Sequence, residues 1–438
     1  MKMEDMILIS IDDHIVEPAD MFDRHTPAAF KGRMPKCVRA KDNAVVWVVE
    51  EEGVAYRGSG LNAVAGRRPE HYGVDPEKFE DMRKGCYDAR ARVEDQDVNG
   101  ILASLNFPTW PTFAGGRIFE FRNKELALAV IRAYNDWHID EWCGEHPGRF
   151  IPCAMVPMWD PVLAAAEVRR VNAKGCHAIS LPPQPARMGF PSIHGDHWDP
   201  LWRACDELGV VCCLHIGDAT GAVTSMDAPV DVFISNMPVS LYATASDLVF
   251  SPVLRKFGNI HFALTEGGAG WVPHFLERID YVYRHHHAWT KQDFGGRLPS
   301  EVFKQHVSLC FIDDQTAVEN RYRCGIDNLT YEVDYPHSDC TWPNSPEVLW
   351  ESLKSIPDAD IDKITHLNAM RIYSFDPFKH IPRQDCTVAA LRRRAAHVDV
   401  APLEVNVPEH MTKGRTGIMT LEAYNRLNSL EDEVHRVA

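Results

Sequence analysis

Eight short runs of apolar and β-branched residues recur along the chain, each followed by a stretch with helical spacing. This alternation restricts the fold more than any other feature. The runs are Met6 to Ile11, "GILASLNF" from Gly100, "FIPCAMVP" from Phe150, "HAISLP" from His177, "VVCCLH" ending at His215, "IHFALTE" ending at Glu266, "HVSLCFI" from His306 and "LTYEVD" ending at Asp334. Stretches such as "DPVLAAAEVRRVNAKG" supply the helices between them. Parallel strands need crossover connections, so eight βα units predict an α/β fold, a closed (β/α)8 TIM barrel rather than an open doubly wound sheet. No GxGxxG follows a strand and no P-loop occurs, which argues against nucleotide binding.

The barrel is expected over residues 1–377, with insertions at about 40–75 and 217–250. The first insertion carries "NAVVWVVEEEGVAYRG", a small hairpin, and the second is rich in Asp, Ser, Met and Pro and is expected to cover the barrel mouth. Residues 378–438 form a C-terminal extension with two helical patterns and no evident place in a complete barrel, so a dimer arm is expected.

Composition excludes several classes of function. The 438 residues, 45% hydrophobic and 25% charged, bury a large core, and no run approaches the roughly 18 apolar residues of a membrane span. A net charge of −16 without a basic cluster argues against nucleic acid and membrane partners, and "LRRRAAH" reads as a solvated helix face. The start, "MKMEDMILIS", lacks a secretory pattern, and the twelve cysteines form no CxxC pair. A cytoplasmic protein with reduced thiols is expected.

The polar residues that interrupt the apolar strands all fall at strand C-terminal ends: Asp12 and His14, His215, Glu266 and Asp334. A barrel brings those ends to one mouth. Asp12 and His14 are two apart and face one way, while Asp13 faces the other. Two imidazoles and two carboxylates suit zinc, iron or manganese. Burying four charged groups without an ion would cost several kcal/mol apiece. Glu17 is either a further ligand or a cap. His337 is a partner to the ligands, a proton donor or a loop residue. His285, His286 and His287 lie at an exposed helix end. Trp47, Arg57, Trp110 and Trp342 are expected at the mouth, giving an aromatic pocket with one carboxylate clamp.

With "DDHIVEP", "HWDPLWRACDELGVVCCLHIG", "LTEGGAGWVPHFLERID" and "DYPHSDCTWPNSP", the chain resembles the amidohydrolase-related, metal-dependent (β/α)8 enzymes that include aminocarboxymuconate semialdehyde decarboxylase and the resorcylate-type decarboxylases. The resemblance runs from about Ile7 to Pro377. It implies metal ligands at Asp12, His14, His215 and Asp334, with Glu266, Asp334 and His337 as catalytic candidates. Two departures stand out: the first ligand is an aspartate, and Glu266 replaces a histidine of the decarboxylases. A carboxylate there acts as a base or as a ligand. With Glu17 it makes six ligands, similar to the dinuclear iron or iron–manganese oxygenases of the same family.

Three functions follow: a metal-dependent hydrolase or decarboxylase of a small carboxylated or aromatic compound, a dinuclear oxygenase, or a non-catalytic subunit. The cofactor is a divalent transition metal, zinc if one ion binds and iron or iron with manganese if two. The partners are a small-molecule substrate and, in a homodimer or hetero-oligomer, a second or related subunit.

Overall fold

The structure is a computed structural model describing residues 1–41, 43–58, 60–217, 224–405, 418–428 and 434–436. Residues 218–223 of the second insertion, and 406–417, 429–433 and 437–438 of the extension, lie outside the described residues. In chain order the strands are β1 (Ile9–Ile15), β2 (Lys36–Arg39), β3 (Val45–Val49), β4 (Val54–Tyr56), β5 (Ala103–Pro108), β6 (Phe150–Ile151), β7 (Ala154–Met155), β8 (Ala178–Leu181), β9 (Val211–His215), β10 (His261–Thr265), β11 (Val307–Phe311), β12 (Leu329–Tyr331) and β13 (Val434–Arg436).

The main sheet is all parallel and runs β6-β5-β1-β12-β11-β10-β9-β8-β7. β6 and β7 are two halves of one predicted strand. Pro152 lacks the N–H that a ladder needs, so the strand divides there. Its first half pairs with β5 (Leu105 opposite Ile151) and its second with β8 (Ala154 opposite Ile179), and this closes an eight-stranded ring.

β1 extends further than its apolar run, from Ile9 through Asp12, Asp13 and His14 to Ile15. Between Ser10 and Asp13 it advances three residues while β5 advances two, from Ser104 to Asn106. This bulge is held by the Ser10 hydroxyl, 2.9 Å from Asp13 Oδ1 and accepting from the Val333 N–H at 2.8 Å. It lets Ile9 and Ile11 join the apolar core inside the ring while Asp12 and His14 also face inward above them.

The helices follow from their caps. Asp88 accepts from Ala91 N–H to start Ala89–Asn99, and Gly100 in the left-handed conformation ends it. Asp160 and Pro161 start Pro161–Asn172 in the same manner. Two cores result, one inside the ring (Val211, Cys213, Ala263, Cys310) and a larger one between strands and helices.

The first insertion is an antiparallel sheet, ordered β13-β4-β3-β2, whose outer strand comes from the C-terminal extension. The other described parts of the extension also lie on the chain itself. The helix Val388–Arg394 packs on Ala89–Asn99, with Arg394 ion-paired to Asp97 at 2.7 Å. The helix Leu421–Leu427 meets Val230–Asn236. These contacts give the described parts of the segment an intramolecular place.

Candidate metal centre

Six of the predicted residues converge: Asp12, His14, His215, Glu266, Asp334 and His337. The Nε2 atoms of His14 and His215 face each other at 3.2 Å. Asp12 carboxylate oxygens lie 3.6 Å from His14 Nε2 and 3.4 Å from His215 Nε2, Asp334 Oδ1 is 3.2 Å from His14 Nε2, and Glu266 Oε2 is 3.0 Å from His215 Nε2. One donor atom from each of Asp12, His14, His215 and Glu266 falls within a 4.8 Å span. His14, Glu266, Asp334 and His337 form a second such group.

The spacing suits an ion. Two nitrogens bound at about 2.0–2.1 Å to one cation stand roughly 3 Å apart. His215 Nδ1 bonds the Ile216 carbonyl and is therefore the protonated nitrogen, which leaves Nε2 free to ligate. Both oxygens of Asp12 and of Asp334, together with His14 Nδ1 and His337 Nε2, are buried without a hydrogen-bond partner. Such atoms are costly unless something compensates them. The donor set therefore fits a divalent transition metal.

Electrostatics agree. Burial pushes Asp12 up to about 6 against the lowering pull of His215, and burial with Glu266 and Asp12 nearby raises Asp334 well above the carboxylate range. Burial opposes charge on His215, yet Asp12 and Glu266 raise it well above its usual value. Burial, with His337 and His215 beside it, lowers His14 well below, and burial drops His337 to about 4. Without a cation the carboxyls therefore resist ionising together.

The backbone is strained where two of these side chains leave their strands. Glu266 has φ 64° and Asp334 φ 58°, left-handed values that non-glycine residues seldom adopt. Asp334 N–H donates to the Asp12 carbonyl at 2.8 Å, tying the eighth strand end to the first. His337 Nδ1 lies 2.9 Å from Asp334 Oδ1, and its ring stacks on His14 with centroids 3.8 Å apart.

Glu17 does not join the cluster. Its buried carboxylate accepts the N–H groups of Thr109 at 2.9 Å and Trp110 at 2.8 Å, which anchors the loop after β5. Of the predicted mouth residues, Trp47 and Trp110 are buried against each other (centroids 5.0 Å apart), because the small sheet folds onto that loop. Trp342 covers Arg83 and donates to the Asp95 carbonyl. Arg57 pairs with Glu77 at 3.3 Å. His285, His286 and His287 are on the outer surface of the helix Val272–Thr290.

Four residues at the site escaped the sequence reading. Glu332 is buried beneath Asp12, bonded to Cys310 and accepting the Glu266 N–H at 3.2 Å. Its place two before Asp334 in "LTYEVD" was the available signal. Arg92 runs under β1, donating to the His14 carbonyl and lying 3.7 Å from Asp13, so Asp13 does face away from the cluster. Phe113 packs on the His14 and His215 rings at 4.8 and 4.2 Å. Gly217 makes room for it, since a Cβ there would meet the Phe113 ring at 2.9 Å.

The cluster opens through Glu266 into a cavity of about 380 Å³. Its apolar walls include Ile216, Phe233, Ile234, Met237 and Met419, with Tyr72 and Tyr424 at the edge. The aromatic residues of this lining are Tyr72, Phe233 and Tyr424; none of Trp47, Arg57, Trp110 and Trp342, the residues expected at the mouth, belongs to it.

A family model described as amidohydrolase matches residues 53–375, downstream of β1. The gamma-resorcylate decarboxylase of Rhizobium sp. (strain MTP-10005) is 24% identical over 314 residues, covering 65% of this chain and 86% of that protein. Among solved structures, an amidohydrolase from Mycobacterium avium subsp. paratuberculosis superposes with TM-score 0.62 at 20% identity, covering 84% of this chain and 99% of that one. A dihydroxybenzoic acid decarboxylase from Polaromonas sp., with bound manganese and the inhibitor 2-nitroresorcinol, gives TM-score 0.55 at 20% identity, covering 86% and 98%. No described helix is long and apolar enough to cross a membrane.

Proposed function

The chain belongs to the amidohydrolase family, and on that premise we propose that it is a metal-dependent decarboxylase of a small aromatic acid. One observation carries the reading: the buried carboxylates of Asp12 and Asp334, left without a hydrogen-bond partner, meet His14, His215 and Glu266 from four strand ends at one spot beside a largely apolar cavity. Asp12, His14, His215 and Asp334 would hold the ion, manganese or zinc. Held by these residues, such an ion would supply a positive charge to anchor the substrate carboxylate and draw electron density from it.

The remaining work falls to the chain's own side chains. As the bond between ring and carboxylate breaks and CO2 leaves, the electron pair on the ring carbon takes up a proton. Glu266 is the residue of the cluster that also lines the cavity, so the proton passes through its carboxyl. His337 orients Asp334 through its 2.9 Å contact. Phe233 and Met237 add apolar surface to the cavity that Glu266 also lines. The twelve unpaired cysteines favour a reducing, cytoplasmic setting, with the barrel spanning 1–377 and the extension 378–438.

A second reading has one observation in its favour. The two groups of four donors share His14 and Glu266, an arrangement suited to two ions with a bridging carboxylate. Iron or iron with manganese would then support an oxygenase. Elemental analysis of the protein, with CO2 release from hydroxybenzoates and oxygen uptake measured side by side, separates the readings. One ion per chain and CO2 release supports the first, and two ions with oxygen consumption overturns it.

A further inference from the structure

We propose that the cavity beside Glu266 takes an uncharged, largely apolar extension of the substrate and rejects a second anionic group. The inference rests on the decarboxylase reading only for the event at the metal end. At about 380 Å³ the cavity falls in the range that holds whole small molecules, so a lone carboxylated head at the ion leaves much of it empty.

The Ile, Phe and Met side chains of the wall come from three parts of the chain: Ile216 just past β9, Phe233, Ile234 and Met237 from the second insertion, and Met419 from the C-terminal extension. Tyr72 of the first insertion and Asp339 after β12 also line it. The extension is fixed there by its backbone. Val230 N–H donates to the Met419 carbonyl at 2.8 Å, Leu421 N–H to Ala228 at 2.9 Å and Glu422 N–H to Met226 at 2.8 Å. Asn428 fastens its far end, accepting the Asp75 N–H at 2.9 Å.

Charge decides what this wall admits. The charged side chains on it are Glu266 and Asp339, and no Lys or Arg lines it among the described residues. An anion entering it loses water, gains no cation from the described lining and faces two carboxylates. An alkyl or aryl group leaves water for Ile, Phe and Met side chains. That transfer gains roughly fourfold in affinity for each buried methylene, the equivalent of about 0.8 kcal/mol.

Isothermal titration of the manganese-loaded full chain with 2-hydroxybenzoates carrying a methyl, propyl or pentyl chain, and with a carboxypentyl counterpart, tests this. Affinity is expected to climb roughly fourfold per methylene from methyl to pentyl, with the carboxypentyl ligand no tighter than the methyl one. Met419→Lys, at a half-buried wall position, should reverse the order and favour the carboxypentyl ligand over the pentyl one by at least about tenfold. Affinity independent of chain length, equal binding of the two pentyl ligands, or an unchanged order in Met419→Lys overturns the proposal. CO2 release followed in parallel keeps the two ideas apart. Chain-length dependence without CO2 release refutes the activity and supports the pocket, while CO2 release with flat affinity does the opposite.

Discussion

The metal cluster and the cavity beside it are neighbours built on opposite principles. Every candidate ligand stands at or just beyond the end of a barrel strand, Asp12, His14 and His215 within β1 and β9 and Glu266 and Asp334 just past β10 and β12. Each side chain but that of Glu266 is buried to within a few per cent. The cavity wall comes from loops past the strands, both insertions and a terminal extension. Chemistry that depends on fractions of an ångström sits on the rigid ring, and recognition that depends on surface character sits on added segments. Glu266 belongs to both regions, which makes it the hinge of the comparison.

The strongest way to break the contrast is at the ring. His215→Ala removes the ligand whose tautomer the Ile216 carbonyl fixes, so metal content by elemental analysis should collapse and activity fall by at least roughly 10³-fold. Retained occupancy would mean that the donors do not form one centre.

Glu266→Gln sharpens the comparison. With one ion the metal stays at about one per chain and turnover falls by roughly 10²- to 10⁴-fold, as for a lost proton-transfer group. A drop from two ions to one would instead assign Glu266 to the ring as a bridging ligand.

Glu17 tests the strand ends without touching the cluster. Burial raises its carboxyl to about 7 from an ordinary 4.5, despite the two amide donors. The folded state therefore holds a proton there that the unfolded chain has lost between those values. Glu17 thus contributes stability that is present below about 4.5 and disappears as pH rises through about 7. Its size is at most about 3 kcal/mol. Denaturant unfolding at pH 5 and pH 8 should show that loss in the wild type and a smaller one in Glu17→Gln. Equal slopes would reject the assignment.

The smallest effect is expected at Phe113, whose ring supports both ligating imidazoles from the side of the loop after β5. Phe113→Ala should weaken metal affinity by about tenfold, read by competition with a chelator, while leaving one ion bound at saturation.

The sequence by itself determined the eight βα units and the members of the polar set. A charged residue ending an apolar run is anomalous within its own few neighbours, and Asp12, His14, His215, Glu266 and Asp334 were all visible in that way. Glu332 carried the same signal, since alternation through "LTYEVD" puts it on the Asp334 face, but Asp334 two residues later drew the reading away from it. Tertiary structure alone decided the rest. The bulge in β1 depends on Ser10 meeting Val333, more than three hundred residues away, and it sets the face on which Asp12 stands. Glu17 and Trp110 looked like site residues because local pattern cannot distinguish a carboxylate that faces an ion from one that faces two backbone amides. Met419 reached the cavity through backbone pairing with the second insertion, a contact with no trace in the spacing of either segment. Periodicity is a property of nearest neighbours along the chain, whereas a bulge, a buried amide pair and a borrowed wall exist only once distant segments have closed on one another.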